Sequence, residues 1–135
     1  MSGVQTCALP ILQNVANISQ ITDRAKCCKN FAKKHNLICV LKGEKTLISD
    51  GVEIYEDTTG TNAMSTAGSG DVLTGIIAGF LAQDKTNKPI NLTKVAVFIH
   101  GTAGELAEKK YGKRASIASD FINSLKEIKN TIPNF

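Results

Sequence analysis

The residues of this 135-residue chain best able to do chemistry stand together at Gly68-Ser69-Gly70-Asp71, at the end of a Gly-, Thr- and Ser-rich run over residues 57–70. Apolar residues at Val72, Leu73, Ile76, Ile77, Phe80 and Leu81 then recur at helical spacing, so the loop feeds a helix predicted to begin around Gly70. The first N–H groups of a helix have no partner within it, and the helix dipole puts partial positive charge at the same end. Together they make an anion site suited to phosphate. Gly68 and Gly70 lack a Cβ, so the backbone can approach a phosphate closely, and Ser69 offers a hydroxyl donor. Asp71 has two readings: a helix-capping acid in the first turn, or a base that takes the proton from a hydroxyl attacking the bound phosphate. A lone Gly-x-Gly is a weak signal, and the residue types leave both open.

The other chemically able side chains have plainer readings. His100 sits in an apolar helical stripe, as a packed, hydrogen-bonded histidine or a pocket neighbour, and His35 reads as a helix C-terminal residue facing the dipole. Asp120 reads as a helix N-terminal acid, while Met64 either faces a ligand through the loop or fills a gap. Cys7, Cys27, Cys28 and Cys39 lack the spacing of paired zinc ligands and read as free thiols of a reducing cytoplasm, so no metal-ligating residue is assigned. The formal charge of +4 comes with lysines scattered over predicted helix faces (Lys26, Lys29, Lys33, Lys34, Lys109, Lys110, Lys113). No basic, aromatic-rich stripe suggests nucleic acid. No apolar run approaches the roughly 20 residues that span a bilayer, and no basic-then-apolar leader is present. With 42% hydrophobic and 21% charged residues, a globular cytoplasmic protein is expected.

The elements that must position the loop follow from periodicity. Ile21, Ala25, Cys28, Phe31 and Ala32 form a helical stripe, with Thr22 or Ser19 as cap and His35-Asn36 as its end. Leu37–Leu41 is a continuous apolar run, expected as a strand buried on both faces. Thr46–Ile48 and Val52–Tyr55 are expected to form a hairpin about a tight turn at Asp50-Gly51. In the helix after Asp71, Gly75 and Gly79 each cost up to about 1 kcal/mol relative to Ala, and close helix packing is the expected reason for them. Pro89 precedes a long helix with Leu92, Val95, Ala96, Ile99, Ala103, Leu106 and Ala107 inward, ended by Gly112. A last helix carries Ile117, Phe121, Leu125 and Ile128. This is an α/β arrangement with few strands for its helices, as in part of a larger sheet.

Gly68-Ser69-Gly70-Asp71, followed by Val72-Leu73-Thr74-Gly75-Ile76-Ile77-Ala78-Gly79, resembles the signature of the ADP-dependent NAD(P)HX dehydratases, enzymes of ribokinase-like fold. Val40-Leu41-Lys42-Gly43 with Thr46 resembles that family's nucleotide loop, His100-Gly101-Thr102-Ala103-Gly104 its following helix, and Ala118-Ser119-Asp120 the start of its last helix. The resemblance runs in order from about residue 13 to 130. It implies a three-layer ribokinase-like fold, represented by a truncated C-terminal portion. It also implies that Lys42, Gly43, Glu44, Lys45 and Thr46, with Gly70, line an ADP site. The amides of Gly68, Ser69 and Gly70 form an anion hole on the same grounds, and Asp71 contacts the hydrated nicotinamide and activates its hydroxyl. The implied reaction phosphorylates that hydroxyl from ADP and eliminates phosphate, restoring NADH or NADPH and releasing AMP, with Mg²⁺ neutralising the phosphates. Implied partners are NAD(P)HX and ADP, and a homo-oligomer of the full-length form.

Two departures stand out. Gly60-Thr61-Asn62-Ala63-Met64 differs from the family's run, in which Asn directly follows Gly and another Gly precedes Met. The family's long preceding region is absent, and in its place Met1–Ile11 lacks helical or strand periodicity. These eleven residues read as a foreign or truncated, unstructured start, and 12–135 as the C-terminal nucleotide-binding part. A sheet without its leading strands exposes an apolar edge, so catalysis by this piece alone is not expected. The rivals are an ATP-dependent small-molecule kinase of hydroxymethylpyrimidine or hydroxyethylthiazole type, and an inactive nucleotide-binding fragment. The Leu41-Lys42-Gly43 loop and the match through residue 83 argue against the kinase.

Overall fold

The computed structural model describes residues 3–8 and 23–128, which fall into two compact units, Met1–Thr58 and Thr59–Phe135. In the first, strands β1 (Val4–Ala8), β2 (Ile38–Lys42), β3 (Thr46–Ser49) and β4 (Ile54–Asp57) form one sheet in that order, with helix α1 (Arg24–His35) between β1 and β2. β1 runs parallel to β2, and the β2–β3 and β3–β4 pairs are antiparallel.

β1 corrects the expectation of an unstructured start. Val4 pairs with Ile38 and Ala8 with Lys42, so these residues are ordered by a partner strand more than thirty residues away. Local periodicity carries no trace of such pairing. Residues 9–11 lie outside the described part.

α1 ends where expected. Asn36 takes the left-handed conformation (φ 51°), its N–H reaches the Lys33 carbonyl and the Leu37 N–H reaches that of Ala32, which satisfies two carbonyls of the last turn. Its start differs: the cap is Asp23, whose Oδ1 accepts the Lys26 N–H at 3.0 Å, while the expected caps Ser19 and Thr22 lie outside the described residues. Cys28, Phe31 and Ala32 pack against Cys39, Leu41 and Leu47, and the Cys28 thiol points at the Cys39 carbonyl oxygen. Cys27, Cys28 and Cys39 are free thiols, as read. Ile38–Leu41 is buried at every position, as a strand covered on both faces requires.

The hairpin is longer than the Asp50-Gly51 signal suggests, because Ser49 pairs with Ile54 and four residues turn between them. Asp50 explains the difference. Its Oδ1 accepts the N–H groups of both Val52 and Glu53 at 2.9 Å, which draws those residues out of the strand.

In the second unit a short 3₁₀ turn (Asn62–Met64) precedes helices α2 (Ser69–Gln83), α3 (Pro89–Tyr111) and α4 (Ala118–Ile128). Ile99, Ala103, Ala107, Phe121 and Ile128 form their core, with Val72, Phe80 and Leu125 against it. Pro89 opens α3 and Gly112 (φ 86°) closes it, as read; Ile117, expected on the last helix, lies just before it and is exposed. Asp120 accepts the Ile117 N–H at 2.9 Å, the expected acid at a helix start. Gly75 and Gly79 correct another expectation. A Cβ at Gly75 meets no atom within 4 Å and one at Gly79 meets only the far end of Gln83, so helix packing among the described residues is not why they are glycine. Among the described residues no helix is long and apolar enough to cross a membrane.

Candidate functional site

In the second unit, the segment leading to α2 is held down on α3 by two glycines. A Cβ at Gly101 would collide with Thr59, whose side-chain Cβ and carbonyl carbon lie 2.7 and 2.9 Å from that point, and one at Gly104 would collide with the Met64 thioether. Gly60, at φ 97°, donates its N–H to Glu105 Oε1 at 2.9 Å, and the Thr61 hydroxyl caps the 3₁₀ turn by accepting the Ala63 N–H. Met64 is therefore the gap filler of the two readings. Gly101 and Gly104 lie in the stretch that resembles the family, but their task of seating the loop depends on contacts about forty residues apart in the chain, which spacing does not reveal.

The loop then turns at Gly68, the N-cap of α2, which is left-handed at φ 82° with Ala118 Cβ 3.1 Å from where its own Cβ would stand. Gly68 is thus glycine for reasons internal to the protein. Gly70 is not: its backbone is helical, and a Cβ there meets nothing within 4 Å. The N–H groups of Gly68 and Gly70 find no acceptor among the described residues, whereas Ser69 N–H makes a long bond (3.3 Å) to the Thr66 carbonyl. Ser69 itself is buried, and His100, also buried, sits beside it with Nε2 2.9 Å from the Ser69 carbonyl oxygen and 3.5 Å from Oγ. A carbonyl only accepts, so Nε2 carries the proton. The Phe121 ring meets the imidazole edge-on, with centroids 6.3 Å apart. Of the two readings of His100, it is the packed, hydrogen-bonded one.

Asp71 is exposed in the first turn of α2. The cap is Gly68, and it makes no side-chain bond, so Asp71 does not cap the helix and keeps only its favourable place near the dipole. Gly68, Ser69, Gly70 and Asp71 thus stand together at one helix end, with Asp71 exposed.

The second predicted group runs in the first unit from Lys42 at the end of β2, through the turn of residues 43–45, to Thr46 at the start of β3. Partial burial pushes the Lys42 ammonium below the usual lysine range. Lys45 forms an exposed ion pair with Glu56 at 2.8 Å, and that hydrogen bond and charge raise its pKa. The turn is held by a residue that sequence reasoning passed over. Arg24, the first residue of α1, lays its guanidinium over Gly43, where any Cβ would strike it, and donates to the Lys45 carbonyl at 2.9 Å. A signal existed: a cation at a helix N-terminus opposes the dipole, which points to an acceptor elsewhere. Among the described residues no three His, Cys, Asp or Glu side chains gather as a metal site.

The fold and the glycine-led helix N-terminus define a protein of the ribokinase-like class. A ribokinase-like superfamily protein of Enterococcus faecalis superimposes with a TM-score of 0.81 at 27% identity, over 95% of this chain and 44% of that one. The ADP/ATP-dependent NAD(P)H-hydrate dehydratase of Bacillus subtilis, co-crystallised with ATP/Mg²⁺, gives a TM-score of 0.87 at 24% identity, over 95% of this chain and 48% of that one. Within that class, residues 10–127 match the NAD(P)H-hydrate dehydratase family, and the chain belongs to it. It is 40% identical over 105 residues to the bifunctional NAD(P)H-hydrate repair enzyme Nnr of Moorella thermoacetica, a match covering 76% of this chain and 19% of that protein. The chain thus spans about a fifth of that relative's length.

Proposed function

We propose that this chain forms the nucleotide-binding part of an ADP-dependent NAD(P)H-hydrate dehydratase, acting in repair of hydrated nicotinamide cofactors. The observation that carries the reading is Gly70: a glycine without an internal reason, with an N–H that has no acceptor among the described residues, at the positive end of a helix. A ligand approaching the backbone supplies that reason. Family membership supports reading that ligand as the phosphate of a nucleotide.

In this reading Lys42, Gly43, Glu44, Lys45 and Thr46 are the nucleotide-binding residues of the first unit and Gly70 that of the second, where the amides of Gly68, Ser69 and Gly70 hold the transferring phosphate. Asp71 contacts the hydrated ring and accepts the proton of its hydroxyl as that oxygen attacks the terminal phosphorus of ADP; the bond to AMP breaks and AMP leaves. Hydroxide is a poor leaving group and phosphate a good one. The ring C–O bond then breaks with loss of a ring proton, releasing phosphate and restoring the double bond of NADH or NADPH. Amide donors aimed at the phosphate are worth a few kcal/mol each, typically about 3–4 when one is removed from a comparable site. A Mg²⁺ ion accompanying the nucleotide would neutralise charge on its phosphates. Assembly into a homo-oligomer at full length belongs to the same proposal, and light scattering reports it.

The test is calorimetric titration of the chain with ADP and ATP, paired with an NADHX dehydration assay on the full-length protein. Saturable binding that favours ADP, with recovery of NADH and AMP, is expected. Preference for ATP with a stable phosphorylated product would make the protein a small-molecule kinase instead, and binding without turnover a nucleotide-binding fragment.

A further inference from the structure

We propose that His100 is a positioning residue for the phosphate segment, acting through the Ser69–Gly70 peptide rather than by touching substrate. The carbonyl of Ser69 and the N–H of Gly70 belong to one planar, trans peptide unit and point in opposite directions. His100 Nε2–H donates to that carbonyl at 2.9 Å, with both residues buried, so the imidazole fixes the plane and thereby the direction of the Gly70 N–H. Donation to the oxygen also draws electron density from the nitrogen, which makes the Gly70 N–H a stronger donor. The carbonyl's second lone pair remains for the helix ladder, so the bond costs α2 nothing. The imidazole is held in turn: Phe121 meets it edge-on, and His100 lies among buried neighbours, Ile99, Gly101 and Thr102, on α3. A helix N-terminus alone does not specify where its amides aim. A buried donor clamped behind one of them does, and Gly70 is the residue that the protein's own packing leaves unexplained.

This inference rests on reading the segment as the phosphate site, and two readouts separate the two claims. The variants are His100→Leu, which keeps bulk without a donor, and His100→Gln, whose amide can donate to the same carbonyl. In amide NMR spectra of the full chain, the Gly70 proton is expected to move upfield in H100L and to stay near its wild-type position in H100Q. In the full-length enzyme, kcat for dehydration is expected to fall roughly tenfold in H100L, with KM for ADP within about twofold, and to recover largely in H100Q. An unmoved Gly70 amide in H100L, equal losses in both variants, or undiminished turnover in H100L would each overturn the proposal. If H100L does not fold, His100→Asn replaces it, since the shorter amide does not reach the carbonyl. Variants whose Gly70 amides respond as expected, alongside a wild-type enzyme that shows no ADP-dependent dehydration, leave the positioning role standing and remove the dehydratase reading.

Discussion

Replacing Gly70 with alanine separates a ligand's demand on this glycine from the protein's own. The added methyl meets no atom within 4 Å, and the backbone there is helical, so the folded state has no steric objection. Alanine also loses less chain entropy on folding than glycine, a difference of about 0.4–1 kcal/mol in favour of the variant. For a chain of this size that corresponds to a melting temperature unchanged or raised by roughly 2–5 °C. If a phosphate approaches the Gly70 N–H, the same methyl stands in its way. Loss of one hydrogen bond to a charged group, about 1.5–3 kcal/mol, weakens ADP binding on the order of 10- to 100-fold. Gly68→Ala is the contrast: φ 82° and Ala118 Cβ at 3.1 Å predict destabilisation of about 1–2 kcal/mol. Thermal unfolding and ADP calorimetry on both variants decide the matter. A G70A protein that binds ADP like wild type, or that loses more than about 1 kcal/mol of stability, refutes the reasoning, because the glycine then has another cause.

Three further outcomes are expected. Asp71→Asn should leave ADP affinity and the melting temperature close to wild type, since the side chain is exposed and makes no cap, while lowering kcat by on the order of 100-fold or more; steady-state kinetics beside calorimetry check it. Gly101→Ala should destabilise by about 1–3 kcal/mol in denaturant titrations, and Thr59→Gly in the same background should recover only part, because the backbone carbonyl carbon of Thr59 is also within 2.9 Å. Arg24→Ala should raise KM for ADP roughly 2- to 10-fold with kcat little changed, and speed hydrogen exchange over residues 43–46; Arg24→Lys should not restore either, since a guanidinium both covers Gly43 and reaches the Lys45 carbonyl.

What the sequence made legible was local. Asn36, Pro89 and Gly112 mark helix ends through their own backbone preferences, and the apolar run before Lys42 marks a buried strand. The convergence of Gly68, Ser69, Gly70 and Asp71 at one helix start follows from adjacency. What was hidden acts at a distance along the chain. Arg24 reaches across 21 residues to the Lys45 carbonyl, His100 across 31 to that of Ser69, and Gly60 across 45 to Glu105. β1 pairs with a strand more than thirty residues on, and Asp50 reshapes its hairpin through side-chain acceptance that a two-residue turn signal does not encode. Gly75 and Gly79 show the reverse error: glycine inside a helix suggests close packing, yet no described neighbour approaches Gly75.

The two candidate segments are supported by different physics, and that difference has kinetic consequences. The Lys42–Thr46 turn is held by the half-buried Arg24 side chain donating to the Lys45 carbonyl, beside the exposed Lys45–Glu56 ion pair. Such support orders a loop before and after the chemical step alike, so its loss weakens ground state and transition state together and appears in KM. The Gly68–Asp71 segment is held from behind by a buried imidazole and seated by glycines that admit Thr59 and Met64 against α3. Its amides matter most when charge on a transferring phosphate is at its height, so a change in their aim appears in kcat. Arg24 and His100 variants are therefore expected to separate along those two axes. If both moved KM alone, the helix N-terminus would be a place where phosphate is bound without being preferentially stabilised in transfer.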